Sequence, residues 1–274
     1  SSRNSKIMLV DGARQIGKSF IIRSVAQELF PNYIEIDFVE DKAGDAIFAN
    51  ATTTEEFYFR LSTIAGEKMK GTKEDTIVFL DEIQAYPHLL TLLRFLRKEG
   101  RFTYIASGSL LGVALQNTPS VPAGDILITH MFQLDFEEFL WANGFSENAI
   151  EKLEQKFLSR ESLDDAMHER MLDLFKKYLL VGGLPDAVNE FISSRNLVAV
   201  REIHNSIHSL YGADASQYDR EHKLQITRIY NMVPSLMANK KKRVVYKDIE
   251  EKGDKRSDDY RDEFDYIVGA GICL

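Results

Sequence analysis

Cysteine is nearly absent: Cys273 stands alone in 274 residues. No intramolecular disulfide framework can staple such a chain, and the scarcity fits a reducing compartment, the cytoplasm. Long apolar runs are missing too. None approaches the ~20 residues a membrane helix needs, and no basic-then-apolar stretch opens the chain as a secretory signal would. Positive charge is in the minority, with 34 Lys and Arg against 42 Asp and Glu and a formal charge of −8, so the chain as a whole is no polybasic nucleic-acid wrapper. There is no fixed-period repeat and no low-complexity tract. What remains is the composition of an ordinary globular protein, 44% apolar and 28% charged, long enough for two domains and a further fragment. The chain lacks an initiator Met and closes on the apolar Gly269-Ala270-Gly271-Ile272-Cys273-Leu274, so it is expected to be a piece of something longer.

The first half alternates short apolar runs with amphipathic stretches. Ile7–Val10, Tyr33–Phe38, Ile77–Leu80, Phe102–Ala106 and Ile126–Ile128 read as strands. Ser19–Phe30, a stretch opened by a Thr53/Glu56 capping box, and Pro87 to about Lys98 read as helices. Strands apolar on both faces and alternating with helices mean a parallel sheet covered by helices, an α/β fold. From Leu134 the pattern changes. Asp135 and Glu138 form a second capping box, opening Phe136–Ala142, and Gly144 ends that helix. Ser162–Leu180 reads as a long helix stopped by Gly182-Gly183, and Pro185 opens the next. No convincing strand occurs in this stretch. The expected organisation is an α/β domain over 1–144, a helical domain over 145–197, and a third region over 198–274 with a basic patch and a helix-plus-strand ending.

Gly12-Ala13-Arg14-Gln15-Ile16-Gly17-Lys18-Ser19 fits G-x-x-x-x-G-K-[ST] at every fixed position, between a strand and a helix. Glycines let the backbone wind so that successive N–H groups form an anion nest, and the following helix adds its positive end. Lys18 would neutralise the β and γ phosphates of ATP, and the Ser19 hydroxyl is a hard oxygen ligand for Mg²⁺. Lys18 is expected to be exposed in the empty loop. Further on, the apolar run Ile77–Leu80 delivers Asp81 and Glu82 at the carboxyl end of a strand, where ligands bind in open α/β sheets. Asp81 would hold Mg²⁺, and Glu82 would polarise the attacking water as a general base.

A water-activating glutamate separates ATPases from small-molecule kinases. It predicts an extra strand between the phosphate-loop strand and the Asp81 strand. Phe102-Thr103-Tyr104-Ile105-Ala106 is the candidate, and it ends in Ser107 and Ser109, either of which could sense the γ-phosphate. The alternative for these serines is a turn with local capping. Arg94, Arg97 and Arg101 read as helix-face or turn charges rather than arginine fingers. Arg14 could lie near the γ-phosphate or at a partner interface. His204 and His208 lack the glutamate and third ligand of a zinc motif.

Taken in order, the phosphate loop, Asp81-Glu82-Ile83-Gln84, Ser107-Gly108-Ser109-Leu110-Leu111 and Leu134-Asp135-Phe136-Glu137-Glu138-Phe139-Leu140 resemble the bacterial AAA-like ATP-binding proteins related to archaeal ATPases and the STAND signalling NTPases. The resemblance spans nearly the whole chain. It implies a P-loop NTPase domain, then a helical domain, then a winged helix over 198–274. It also makes Leu180-Val181-Gly182-Gly183-Leu184-Pro185 similar to a segment whose proline packs on adenine, with Pro185 as the base contact and Gly183 allowing close approach. A glycine C-cap followed by a proline helix start explains the same residues.

The implied function is a Mg-ATP-dependent ATPase or nucleotide switch, slow in turnover. The alternative is an ATP-dependent nucleic-acid-processing factor; a P-loop phosphotransferase is disfavoured by Glu82. Residues 239–256 carry eight Lys or Arg against four acids, but the helix expected from Ser257 carries Asp258, Asp259, Asp262, Glu263 and Asp265 against Arg261 alone. Such a helix repels phosphates, so DNA contact is expected to be weak at most. The protein partner and the oligomeric state are not legible.

Overall fold

A computed structural model describes residues 6–109, 124–215, 223–238 and 260–269. The described residues fall into two compact units, one drawn from Ser1–Met131 and Asp214–Leu274, the other Phe132–Ala213.

The first unit is built on five parallel strands: β1 (Ile7–Asp11), β2 (Asn32–Asp37), β3 (Thr76–Asp81), β4 (Thr103–Gly108) and β5 (Ile126–His130). Their order across the sheet is β2-β3-β4-β1-β5, all pairings parallel. The strand at 103–108 therefore lies between β1 and β3, as the glutamate in the acidic pair predicts. Every residue of β3 is buried, which is why its sequence runs apolar without alternation.

The helices are α1 (Lys18–Leu29), α2 (Phe38–Ala43), α3 (Thr54–Ala65) and α4 (Pro87–Glu99). Phe57 and Leu61 of α3 join Leu89, Leu93 and Leu96 of α4 over Leu9, Ile36, Val78 and Leu80 in the main core. On the other face, Ile22 of α1 packs with Val10 and Phe79. The Thr53/Glu56 capping box is formed, and Gly100, left-handed at φ 62°, stops α4. One boundary differs from the sequence reading. Phe38 belongs to α2 and not to the strand, because the Asp37 carboxylate accepts the Val39 and Glu40 amides and caps a helix at that point.

The second unit is helical, with α5 (Phe136–Ala142), α6 (Glu147–Ser159), α7 (Asp165–Val181), α8 (Pro185–Ser194) and the start of α9 (Leu197–Ala215). Phe136, Phe139, Phe175, Tyr178 and Phe191 form its aromatic centre. The Asp135/Glu138 capping box is formed. The long helix begins at Asp165 rather than Ser162, since Asp164 caps it through the Met167 amide at 2.9 Å. Among the described residues no helix is long and apolar enough to cross a membrane.

The remaining helices, α10 (Lys223–Ala238) and α11 (Arg261–Gly269), pack against each other. The basic run 239–256, Ser257 and the expected closing strand lie outside the described residues. The first turn of α11 corrects one expectation: Glu263 is buried, so it is not part of an exposed acidic face.

Candidate nucleotide site

Parallel strands place all their carboxyl ends on one edge. The register sets Val10 beside Ser107 and Asp11 beside Gly108, and Leu80 beside Ala106, so the residues following Val10, Leu80 and Ala106 meet there. The Asp11 carboxylate accepts the Gly12 amide at 2.9 Å, and its other oxygen lies 3.2 Å from His130 Nδ1. Sequence reasoning gave Asp11 no role; an acid directly before the glycine loop was the available signal. Gly12 is required by space, because a Cβ there would lie 2.3 Å from the Met131 carbonyl oxygen. Ile16 is buried and pins the loop to the domain. Gly17, at φ 94°, turns the chain into α1, whose N-terminus no side chain caps. Its leading amides thus stay available to an anion. Ala13 and Arg14 are half-buried and Gln15 is exposed, the last with φ 60°.

Lys18 is not exposed. It is 5% accessible, and its ammonium donates to the Gly12 carbonyl at 2.9 Å and the Ala13 carbonyl at 2.6 Å. Folding back onto the loop's own oxygens supplies the hydrogen bonds a buried ammonium requires. Burial lowers its pKa, while the carboxylates of Glu82, Asp81 and Asp11 push the other way. Ser19 comes within hydrogen-bonding reach of Asp81.

Asp81 is 5% exposed and also accepts from the buried Ser107 hydroxyl. Burial raises its pKa, and so does the neighbouring Glu82, against the Ser107 hydrogen bond and the nearby Ser19 hydroxyl. Ser19 and Asp81 are hard oxygen donors brought together beside the loop, the donor chemistry that suits Mg²⁺. Glu82 follows at φ 51°, ψ 45°. Its carboxylate accepts from the Ser109 hydroxyl at 3.0 Å and from the Gln84 side-chain amide. Arg14 Nε donates to the same Ser109 hydroxyl at 3.2 Å. The two serines thus divide their work: Ser107 serves Asp81, and Ser109 serves Glu82. Gln84 was visible in the sequence motif but was assigned nothing.

Other candidates resolve locally. Arg97 and Arg94 pair with Asp125, whose carbonyl accepts the Ile7 amide at the opposite, amino edge of the sheet. Arg101 lies over Tyr58 and Phe102, with ring centroids 5.0 and 5.1 Å away. In the helical unit, Pro185 opens α8 and Gly182, at φ 69°, ends α7. A Cβ on Gly183 would lie 2.0 Å from the Leu134 carbonyl oxygen, so its close approach is to that backbone. His204 bonds the Val181 carbonyl at 2.8 Å.

The sheet order, the glycine loop and the paired acids define a P-loop NTPase core followed by a helical region. The chain belongs to the AAA domain family, whose model matches residues 4–140, and a domain of unknown function (DUF8612) matches residues 172–274. A comparison with curated proteins finds no match. Among solved structures, the S. cerevisiae Hsp104–ADP complex aligns with 98% of this chain and 36% of its own, at 15% identity and a TM-score of 0.40. A closed state of Hsp104 with ATPγS and FITC-casein aligns with 84% and 46%, at 14% identity and a TM-score of 0.37. The chain therefore spans less than half of either Hsp104 chain it aligns with.

Proposed function

We propose that this protein binds Mg-ATP and hydrolyses it slowly to ADP and phosphate, acting as an ATPase or nucleotide switch of the AAA and STAND-like kind. The observation that carries the reading is the convergence of Lys18, Ser19, Asp81 and Glu82 on one sheet edge, beside an N-terminal helix end that no side chain occupies. ATP phosphates would take over Lys18 from the Gly12 and Ala13 carbonyls, so the lysine exchanges two neutral acceptors for charged ones. Ser19 and Asp81 would hold Mg²⁺, whose charge offsets that of the phosphate oxygens. Glu82 would accept a proton from water as its oxygen bonds to the γ-phosphorus, the bond to the β–γ bridging oxygen breaks, and ADP leaves.

Two variants test this. Glu82→Gln is expected to bind Mg-ATP like the parent and to lose hydrolysis by ~10²-fold or more, the scale of a general base. Lys18→Ala is expected to lose ATP binding by calorimetry while keeping its circular dichroism spectrum. Parent-like hydrolysis by the first variant removes Glu82 as the base; parent-like ATP affinity in the second removes the phosphate-loop assignment.

A further inference from the structure

Glu82 is held in an unusual way. Its backbone is left-handed, a conformation that non-glycine residues adopt rarely, and its amide donates to Asp81 Oδ1 at 3.0 Å. A single tight turn follows, closed by the Ala85 amide on the Glu82 carbonyl at 3.0 Å, and it folds Gln84 back toward the Glu82 side chain. There the Gln84 amide nitrogen donates to Glu82 Oε2 and also reaches Ser109 Oγ at 3.3 Å. The Ser109 hydroxyl and, more distantly, its backbone N–H (3.5 Å) approach the same Oε2. Among the described residues, every donor to this carboxylate converges on one oxygen, leaving Oε1 to take a proton. Ser109 completes the arrangement: its hydroxyl donates to Glu82 while accepting from Gln84 and from Arg14 of the phosphate loop.

The orientation of the Gln84 amide is chemically fixed. An ionised carboxylate only accepts, so the nitrogen must face Glu82. The Gln84 carbonyl oxygen then points elsewhere, and it is buried with no hydrogen-bond partner among the described residues. An orphaned buried carbonyl opposes folding, and Gln84 is only 5% exposed. A leucine would fill nearly the same space without that penalty. The residue is therefore poorly suited to packing and well suited to gripping Glu82.

We infer that Gln84 is a positioning residue for Glu82: together with Ser109 it anchors Oε2 so that Oε1 faces the attacking water. The inference rests on the reading of Glu82 as the base, and it concerns a side chain that need touch neither ATP nor water itself.

The test is Gln84→Leu, measured beside the parent and Glu82→Gln. Steady-state ATP hydrolysis should show kcat lowered by ~10- to 100-fold, the scale of a misplaced reacting group. KM and the calorimetric Kd for ATP should stay within about threefold of the parent. The thermal midpoint of the nucleotide-free variant should equal or exceed the parent's, because the orphaned carbonyl is gone. Should the leucine variant not fold, Gln84→Met keeps the length of the side chain, removes the donor without adding a charge and is expected to lose the same rate. A parent-like kcat in whichever variant folds, beside an inactive Glu82→Gln, overturns this inference alone. A lowered midpoint with weakened ATP binding makes Gln84 structural and also overturns it. Parent-like hydrolysis by Glu82→Gln removes both this inference and the reading it rests on.

Discussion

Lys18 and Asp81 each bury a charge that folding alone would leave in water. Each is only 5% exposed, and burial is the largest influence on each pKa, lowering the lysine's and raising the aspartate's. The Asp81 carboxyl holds a proton to a higher pH in the folded chain than in the unfolded one, where it titrates near 3.8. The stability linked to that proton is fully present below the unfolded value and is lost as pH rises through the folded one. Wherever the carboxyl is ionised it is therefore a net burden on the nucleotide-free protein. Asp81→Asn should raise the thermal midpoint of that form near neutral pH, with a margin that narrows as pH falls and the parent's carboxyl takes up its proton. Mg-dependent hydrolysis should be lost in the same variant, a trade of activity for stability. A midpoint below the parent's at neutral pH would mean that attraction to Lys18 outweighs burial. None of this balance was legible in sequence. The motif names the lysine, but its retreat onto the Gly12 and Ala13 carbonyls depends on how the loop closes.

Elements were more legible than side chains, because they follow from period and punctuation. All five strands were legible, Tyr33–Phe38 by the alternation of Ile34, Ile36 and Phe38 with Glu35 and Asp37 and the others as largely apolar runs; both capping boxes formed where Thr53/Glu56 and Asp135/Glu138 stand, and Pro87 and Pro185 open helices. The misses have local causes, such as Asp37 capping α2 where alternation continued through Phe38. Gly182 and Gly183 show where an element-level account competes with a ligand-level one. Gly182 has φ 69° and ψ −168°, a region essentially confined to glycine. Gly183 has no room for a Cβ against the Leu134 backbone, and the Leu134 amide donates to its carbonyl at 2.9 Å. Alanine at either position should cost about 1–3 kcal/mol by strain or overpacking. Thermal unfolding without nucleotide should register that loss. If the midpoint is unchanged while ATP affinity falls, the segment serves the nucleotide, as its resemblance to an adenine-contacting stretch implies.

At the scale of the whole molecule, charge decides whether nucleic acid is a plausible partner. The chain carries −8 overall, and the +4 run of 239–256 is followed at once by a −4 segment over 257–274. Fields of opposite sign that lie so close cancel beyond about one Debye length, ~8 Å at physiological salt. The described part of the acidic segment softens the repulsion without reversing it. Glu263 is buried, while Arg261 lies 3.9 Å from Asp265 on the same helix and Asp262 remains exposed. A helix that read bases would need spare cationic donors to release counterions, and α11 has one arginine already beside a carboxylate. Duplex DNA should therefore bind no more tightly than ~10⁻⁵ M at physiological salt, within the non-specific range. Fluorescence anisotropy across a salt titration measures this directly. Weak binding that weakens further with salt and vanishes on neutralising Lys240, Lys241 and Lys242 would fit a backbone contact by the basic run alone. Sub-micromolar affinity for one sequence over its scrambled duplex would overturn the expectation and make an ATP-dependent DNA factor the better account of the chain.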